Sequence, residues 1–277
     1  MQNKGIAMKK YLLVLVLLVM NATLHAKESG FSLSTSLVGM SMDYREYDDN
    51  DLILDSEKSV LYEMPGAEIK LIYTKVLESG NYAQLGMKFM LLNGETEYVG
   101  SYLGSGLGYG SLVSRTKNMI IDTDIDYMFT HLYGSGLEFS YGAGLGYRSW
   151  RRELSPTQVE IYSWFSIRPK IGLAYSKDFI YVGIFAEYQY GINPKMSINN
   201  PNVEVNLGSA DIIQVHIPVV FSINDSLDIS IENVIERQYI GKSDSAYFTE
   251  GRRTYEIWEP KSSAYNNYLK FGATFKF

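Results

Sequence analysis

The chain has no cysteine, which excludes a disulfide scaffold, thiolate metal sites and a lipidated N-terminal Cys. Histidine is scarce at 3 in 277 residues, so imidazole-based catalysis and metal binding have few places to reside. Proline is also low at 7, as expected of a chain built from long strands. Long apolar runs are missing beyond the N-terminus. No later segment approaches the roughly 18 uncharged apolar residues of a membrane-crossing helix, so a bilayer could be crossed only as a closed barrel. An excess of positive charge is absent as well. Lys+Arg number 25 against 31 Asp+Glu, for a net charge of −6, which argues against nucleic acid and anionic membrane surfaces as partners.

What is present begins with a targeting segment. Lys9 and Lys10 precede the apolar run Tyr11–Met20, and small residues follow at Ala22 and Ala26. That is the order of a secretory signal peptide. Cleavage after Ala26 is expected, making 1–26 the signal and 27–277 one mature domain. At the other end, Leu269, Phe271, Ala273, Phe275 and Phe277 alternate with Lys270, Gly272, Thr274 and Lys276. A period of two is a strand with one apolar and one polar face. Ending on its own aromatic, it looks like the closing strand of a bacterial outer-membrane barrel, with Phe277 an assembly signal for the barrel assembly machinery.

The same pattern recurs along the chain, which carries 23 Tyr and 24 Gly for aromatic belts and tight turns. About ten strands are expected, near 31–46, 59–77, 81–95, 112–132, 137–150, 161–176, 179–192, 203–223, 227–240 and 263–277. Short turns fall at 78–81, 134–136, 177–178 and 224–226. Long loops fall at 47–58, 96–111, 151–160, 193–202 and 241–262. The fold class that follows is all-β: a transmembrane antiparallel up-and-down β-barrel with both termini periplasmic, in the outer membrane of a Gram-negative bacterium.

Charge decides which face points outward. With the apolar set on the lipid side, mid-strand positions such as Ile69, Leu71, Leu85, Met87, Ile125, Leu145, Ile167, Ile171, Ile229 and Ile231 form a band without charge. The lumen then receives Asp122, Asp124, Asp126, Arg148, Arg168, Lys170, Glu187, Glu232 and Glu236. A turn centred on Ser135 sets Asp122 opposite Arg148, and one at Lys177-Asp178 sets Arg168 opposite Glu187. Buried charges must pair. Mixed signs favour a structural plug over the selectivity filter of a narrow pore. Gly142, Gly144 and Gly146 share the lumen face and leave room for Arg168, Tyr162 and Trp164. The stretch Gly104–Gly110 lacks the strand and helix that a phosphate-binding loop requires.

The strand rhythm, with Glu95-Thr-Glu97 at the top of the third strand, resembles the omptins over the whole mature chain. That resemblance implies a ten-stranded outer-membrane barrel, with two acids spaced by two on one lip and an Asp-x-His pair on the facing lip holding the attacking water. Glu95 and Glu97 are the candidate catalytic acids here. The facing lip, 191–200, has neither acid nor His. His131 lies beside a periplasmic turn and His216 in a strand facing the lumen, so neither reaches that rim and the protease chemistry does not carry over.

Two loops remain. The acidic stretch Glu46–Asp51, with Asp55 and Glu57, lacks the spacing and central Gly of a calcium loop and reads as a solvated acidic loop. The loop 241–262 carries Tyr247, Phe248, Arg252, Arg253, Tyr255 and Trp258. Aromatics with Arg are interface anchors, so this loop is either an external binding surface or a cover over the barrel mouth. No cofactor or metal is expected. Outer-membrane lipid and lipopolysaccharide are the expected surroundings, and the external ligand cannot be read. The leading functional expectation is surface binding or envelope structure. The alternatives are a narrow passive channel, or a diverged omptin-like protease or lipid-modifying enzyme.

Overall fold

The computed structural model describes residues 29–101, 108–134 and 136–277. The expected signal peptide and most of the glycine stretch 104–110 lie outside the described residues. In chain order the strands are β1 (Ser29–Tyr47), β2 (Ile53–Lys58), β3 (Met64–Val76), β4 (Tyr82–Gly100), β5 (Leu112–Tyr133), β6 (Leu137–Ser155) and β7 (Gln158–Lys177). They continue as β8 (Ile180–Asn199), β9 (Asn202–Asn206), β10 (Ala210–Asn224), β11 (Leu227–Ile240), β12 (Ala246–Glu250), β13 (Arg253–Ile257) and β14 (Lys261–Lys276).

These strands make ten staves. β2 and β3 both run antiparallel beside β1 and form one stave, broken at 59–63. β9 and β10 likewise share the stave beside β8, broken at 207–209. β1 pairs with β14 on its other side, from Ser32↔Lys276 to Tyr47↔Lys261, so the sheet closes on itself. Closure leaves no unpaired edge. Phe277 sits in this seam, exchanging backbone hydrogen bonds with Phe31 at 3.0 and 2.9 Å. β12 and β13 form a separate two-stranded hairpin.

The outer face carries the expected apolar band. Leu37, Ile69, Leu71, Met87, Phe89, Ile125, Leu145, Ile167, Ile171, Ile184, Ile229, Ile231 and Phe271 are all exposed. An apolar belt of this extent suits lipid and not water. Tyr73, Tyr127, Tyr133, Tyr141 and Tyr175 are exposed nearer the short-turn rim, where an interfacial girdle belongs.

Two expectations are corrected. The stretches 151–160 and 193–202 are not loops. β6 and β7 run on to a turn at Pro156-Thr157, and β8 and β9 to one at Asn200-Pro201. Outward positions here are Lys117, Arg151 and Glu153, which pair with one another. Above the lipid the outer face is wetted, so apolar alternation lapses although the backbone ladder continues. The second correction is one of register. Lys177 pairs with Ile180, which places the turn at Asp178-Phe179, with Asp178 at φ 53°. Lys170 is therefore the direct cross-strand partner of Glu187, and Arg168 reaches the same carboxylate diagonally at 3.9 Å. Moving a turn by one residue moves every partner by two.

The barrel interior is layered. Along β5, the inward side chains from the short-turn rim upward are Asp126, Asp124, Asp122, Ile120 and Asn118. Along β6 they are Gly142, Gly144, Gly146, Arg148, Trp150 and Arg152. Between the charged levels lies an apolar core that includes Met40, Met64, Leu92, Ile120, Trp150, Trp164 and Ile212, all buried.

Candidate functional site

The lower lumen is a network of paired charges. Asp122 faces Arg148 across the β5–β6 hairpin and accepts from Arg148 Nε at 2.8 Å and Arg168 Nη1 at 2.9 Å. Arg168 also donates to Asp124 at 3.0 Å. Lys88 bridges both acids, at 2.7 Å to Asp124 and 3.4 Å to Asp122. The Arg148 fork is bidentate to Glu236, at 3.0 and 2.9 Å. Glu236 further accepts from Asn266, Tyr268 and Gln214. Lys170 joins Asp126 and Glu187, 3.1 Å from the latter. Lys270 bridges Glu68 and Glu232 at 2.9 and 3.3 Å, and His216 Nδ1 lies 2.8 Å from Glu232.

All nine lumen residues singled out in the sequence thus meet in one network. Gln214, expected beside His216, lies 3.1 Å from its Nε2, and sequence reasoning missed the other neutral side chains that complete the network: Tyr268, Asn266 and Gln238. Gly146 is part of the fit, since a Cβ there would overlap the Arg168 guanidinium. On the short-turn side the network floors a cavity of about 340 Å³, walled by Lys88, Asp124, Lys170 and Glu187 with Tyr82, Met128 and Phe185 around it.

A second cluster fills the mouth, above the apolar layer. Arg152 Nε and Nη2 donate to Glu57 at 2.9 and 2.8 Å. Its Nη1 donates to Glu46 at 2.8 Å, Tyr162 at 2.9 Å and Glu160 at 3.0 Å. Three rings surround the guanidinium, with Cζ 4.6 Å from the Tyr44 centroid, 5.3 Å from Trp150 and 5.7 Å from Tyr162. Such caging favours a cation. Glu57 is fully buried and is completed by Thr96 Oγ1 at 2.6 Å and Asn118 Nδ2 at 3.0 Å. Glu259, buried and contributed by the segment before β14, accepts from the Tyr162 hydroxyl.

This mouth is short of positive charge. Among the described residues, Glu46, Asp55, Glu57, Glu160 and Glu259 share the single cation Arg152. Burial pushes the Asp55 carboxyl up to about 6, with the Glu46 charge adding and a hydrogen bond with Tyr98 opposing. Burial also drives Glu160 and Glu259 upward, reinforced by their carboxylate neighbours and opposed by Arg152. The expectation of a solvated acidic loop is therefore corrected for Glu46, Asp55 and Glu57. Alternation along β1 and β2 turns them inward, while Asp49 and Asp51 stay on the rim, paired with Lys242 and Lys261.

Glu95 and Glu97 are not in the mouth. Both are exposed on the outer face of β4, and Thr96 and Tyr98 are the residues that point inward. A spacing of two keeps both acids on one face, and here it is the outward one. Glu97 borders an external groove with Asp43, Lys58, Glu63 and Arg115. On the facing lip, Lys195 is exposed and paired with Glu204, and Met196 and Ile198 are buried. His131 lies on the outer face among Phe129, Tyr133 and Tyr141, with centroids at 4.7, 6.2 and 6.0 Å.

The loop 241–262 is organised as the β12–β13 hairpin. Phe248 stacks on Tyr255 at 5.2 Å, and Tyr247, Arg252, Arg253 and Trp258 are exposed. At its base, Ala246 and Ile257 pack against the apolar layer of the mouth. Lys242 lies 5.7 Å over the Trp258 ring.

The comparison that bears on this architecture is with the outer membrane protease OmpT from Escherichia coli. The two share 13% sequence identity at a TM-score of 0.59, over 92% of this chain and 99% of that one. The chain has an omptin-like barrel. At that identity the likeness is one of fold. The translocator domain of the autotransporter NalP from Neisseria meningitidis (9% identity, TM-score 0.39, 99% and 96% of the two chains) is a more distant barrel. The toluene transporter TbuX from Ralstonia pickettii (10%, 0.35, 91% and 90%) is another. No family model matches the chain, and no curated protein matches it in sequence.

Proposed function

We propose that this chain is a non-conducting barrel of a Gram-negative outer membrane that acts through its extracellular surface, in binding or in envelope structure. The observation that carries this reading is the stack of filled layers inside it. A paired charge network, an apolar core and the Arg152 cluster follow one another along β5 and β6, and Arg148, Arg152, Trp150 and Arg168 are each at most 2% exposed. A barrel of this size has room for side chains and little else. The cavity below the network then serves as a blind pocket and not a pore. What the fold leaves for recognition is the outer rim, above all the β12–β13 hairpin with Tyr247, Trp258, Arg252 and Arg253. Aromatic and Arg side chains are the groups that anchor interfaces. Outer-membrane lipid and lipopolysaccharide surround the apolar belt in this reading.

The absence of cysteine makes the test simple. Tyr247→Cys is expressed in intact cells and exposed to a membrane-impermeant maleimide. Labelling without permeabilisation is expected, and labelling only after permeabilisation would contradict the surface role. In liposomes, the refolded protein should leave sugar permeability at the protein-free level. Swelling would favour a passive channel instead.

A further inference from the structure

We propose that the segment Gly241–Pro260 is a lid over the barrel mouth, latched by a proton held between Glu259, Tyr162 and Glu160, and that rising pH lifts it off. This goes beyond surface display, because it makes the displayed surface switchable.

The geometry is that of a strap with one buried polar fastening, beside the apolar contacts of Ala246 and Ile257. Glu259 is 5% exposed, although its neighbour Trp258 is 47% exposed. The Tyr162 hydroxyl lies between two carboxylates, against Glu259 and 3.2 Å from Glu160 Oε2. One hydroxyl proton cannot satisfy both, so a second proton must reside on one of the acids, or two buried anions would face each other. Every element around the mouth adds to this demand. β1 contributes Tyr44 and Glu46, β2 Asp55 and Glu57, β4 Tyr98 and β7 Glu160 and Tyr162, and among the described residues there only Arg152 on β6 is cationic. Arg152 is already divided among Glu46, Glu57 and Glu160 and makes no hydrogen bond to Glu259. The other polar ties of the segment lie at the rim. Ser243 and Glu259 exchange hydrogen bonds within it, Asp244 binds Asn206, and Lys242 pairs with the exposed Asp49. Exposed ties of that kind hold weakly.

The sign follows from the proton. Burial raises the latch carboxyls, so docking takes up a proton and undocking releases it to water. The latch is at full strength below the ordinary Glu range. It weakens by up to tenfold per pH unit and per proton as pH climbs through the raised values. Undocking withdraws Glu259 and uncovers the face against which Ala246 and Ile257 pack.

The test uses the full barrel in lipid vesicles with spin labels at Ser245→Cys on the lid and Thr157→Cys on the β6–β7 turn. A narrow inter-label distance distribution is expected at pH 5, and a broad or longer one at pH 9. Adding Glu259→Gln, which keeps the hydrogen bonding without the charge, should hold the narrow distribution at both. Identical distributions at the two pH values in the unsubstituted background would overturn the latch, as would an unaltered transition in Glu259→Gln. Should Glu259→Gln lose the heat-modifiable gel mobility of a folded barrel, Glu160→Gln decides. It should move the opening to higher pH by at least one unit, and an unmoved midpoint rejects the proposal.

Discussion

Two buried guanidinium clusters occupy this barrel, one nearly balanced in charge and the other strongly acidic. Around Arg148 and Arg168, the acids Glu68, Asp122, Asp124, Asp126, Glu187, Glu232 and Glu236 meet Lys70, Lys88, Lys170, Lys270 and the two arginines. Nearly every charge there has an opposite partner. Around Arg152, five carboxylates meet one cation. The first arrangement suits a level of the barrel ringed by apolar residues facing lipid, where an uncompensated charge has no water to turn to. The second lies where Lys117, Arg151 and Glu153 face outward, above that belt, and there protons can make up the deficit. The difference predicts that the lower cluster stays paired at every pH at which the barrel is folded, whereas the upper one responds to pH.

The sharpest way to break this comparison is Asp122→Ala. It strips a shared partner from Arg148, Arg168 and Lys88, and should cost about 3–5 kcal/mol. Urea unfolding in lipid vesicles, followed by gel mobility, measures it. Because the stranded groups are cations, acid should give no recovery. Arg152→Ala should cost about 3 kcal/mol at neutral pH by the same reasoning. There the stranded groups are carboxylates, Glu160 among them with its proton affinity raised by burial, so the deficit should shrink as pH falls toward the ordinary Glu range. Parallel pH profiles for the two variants would erase the distinction. Thr96→Val removes one of the donors to Glu57 and should cost about 1–3 kcal/mol in the same unfolding measurement. Lys242→Ala breaks only the exposed pair with Asp49 and should change stability by less than about 1 kcal/mol.

How much was legible in the sequence follows the same division. In the band that includes Ile69 and Phe271 the lipid imposes alternation, so the staves, the outward band and the Asp122–Arg148 pairing could be read from residue order and one turn. The slip at Asp178-Phe179 shows the limit of that approach: a tight turn can be centred on either of two neighbouring residues, and the choice put Lys170 in place of Arg168 directly opposite Glu187. Above the lipid the constraint disappears. Arg152 follows Trp150 on the same inward face, but its partners Glu57 and Glu46 lie 95 and 106 residues away in sequence, and no hairpin arithmetic brings them together. Glu259 was hidden for the same reason, inside a long loop whose fastening point only the folded mouth reveals. Glu95 and Glu97 carried the spacing of a catalytic pair, but their spacing says nothing about which face of β4 they occupy.

The most direct test of the closed barrel is single-channel recording of the refolded protein in a planar bilayer, with heat-modifiable mobility confirming the fold. A lumen filled by the Arg148–Arg168 network and the apolar layer predicts no conductance steps from a folded barrel at neutral pH. Steady, ion-selective steps from the unsubstituted protein would contradict that account and turn the same charges into the lining of a pore.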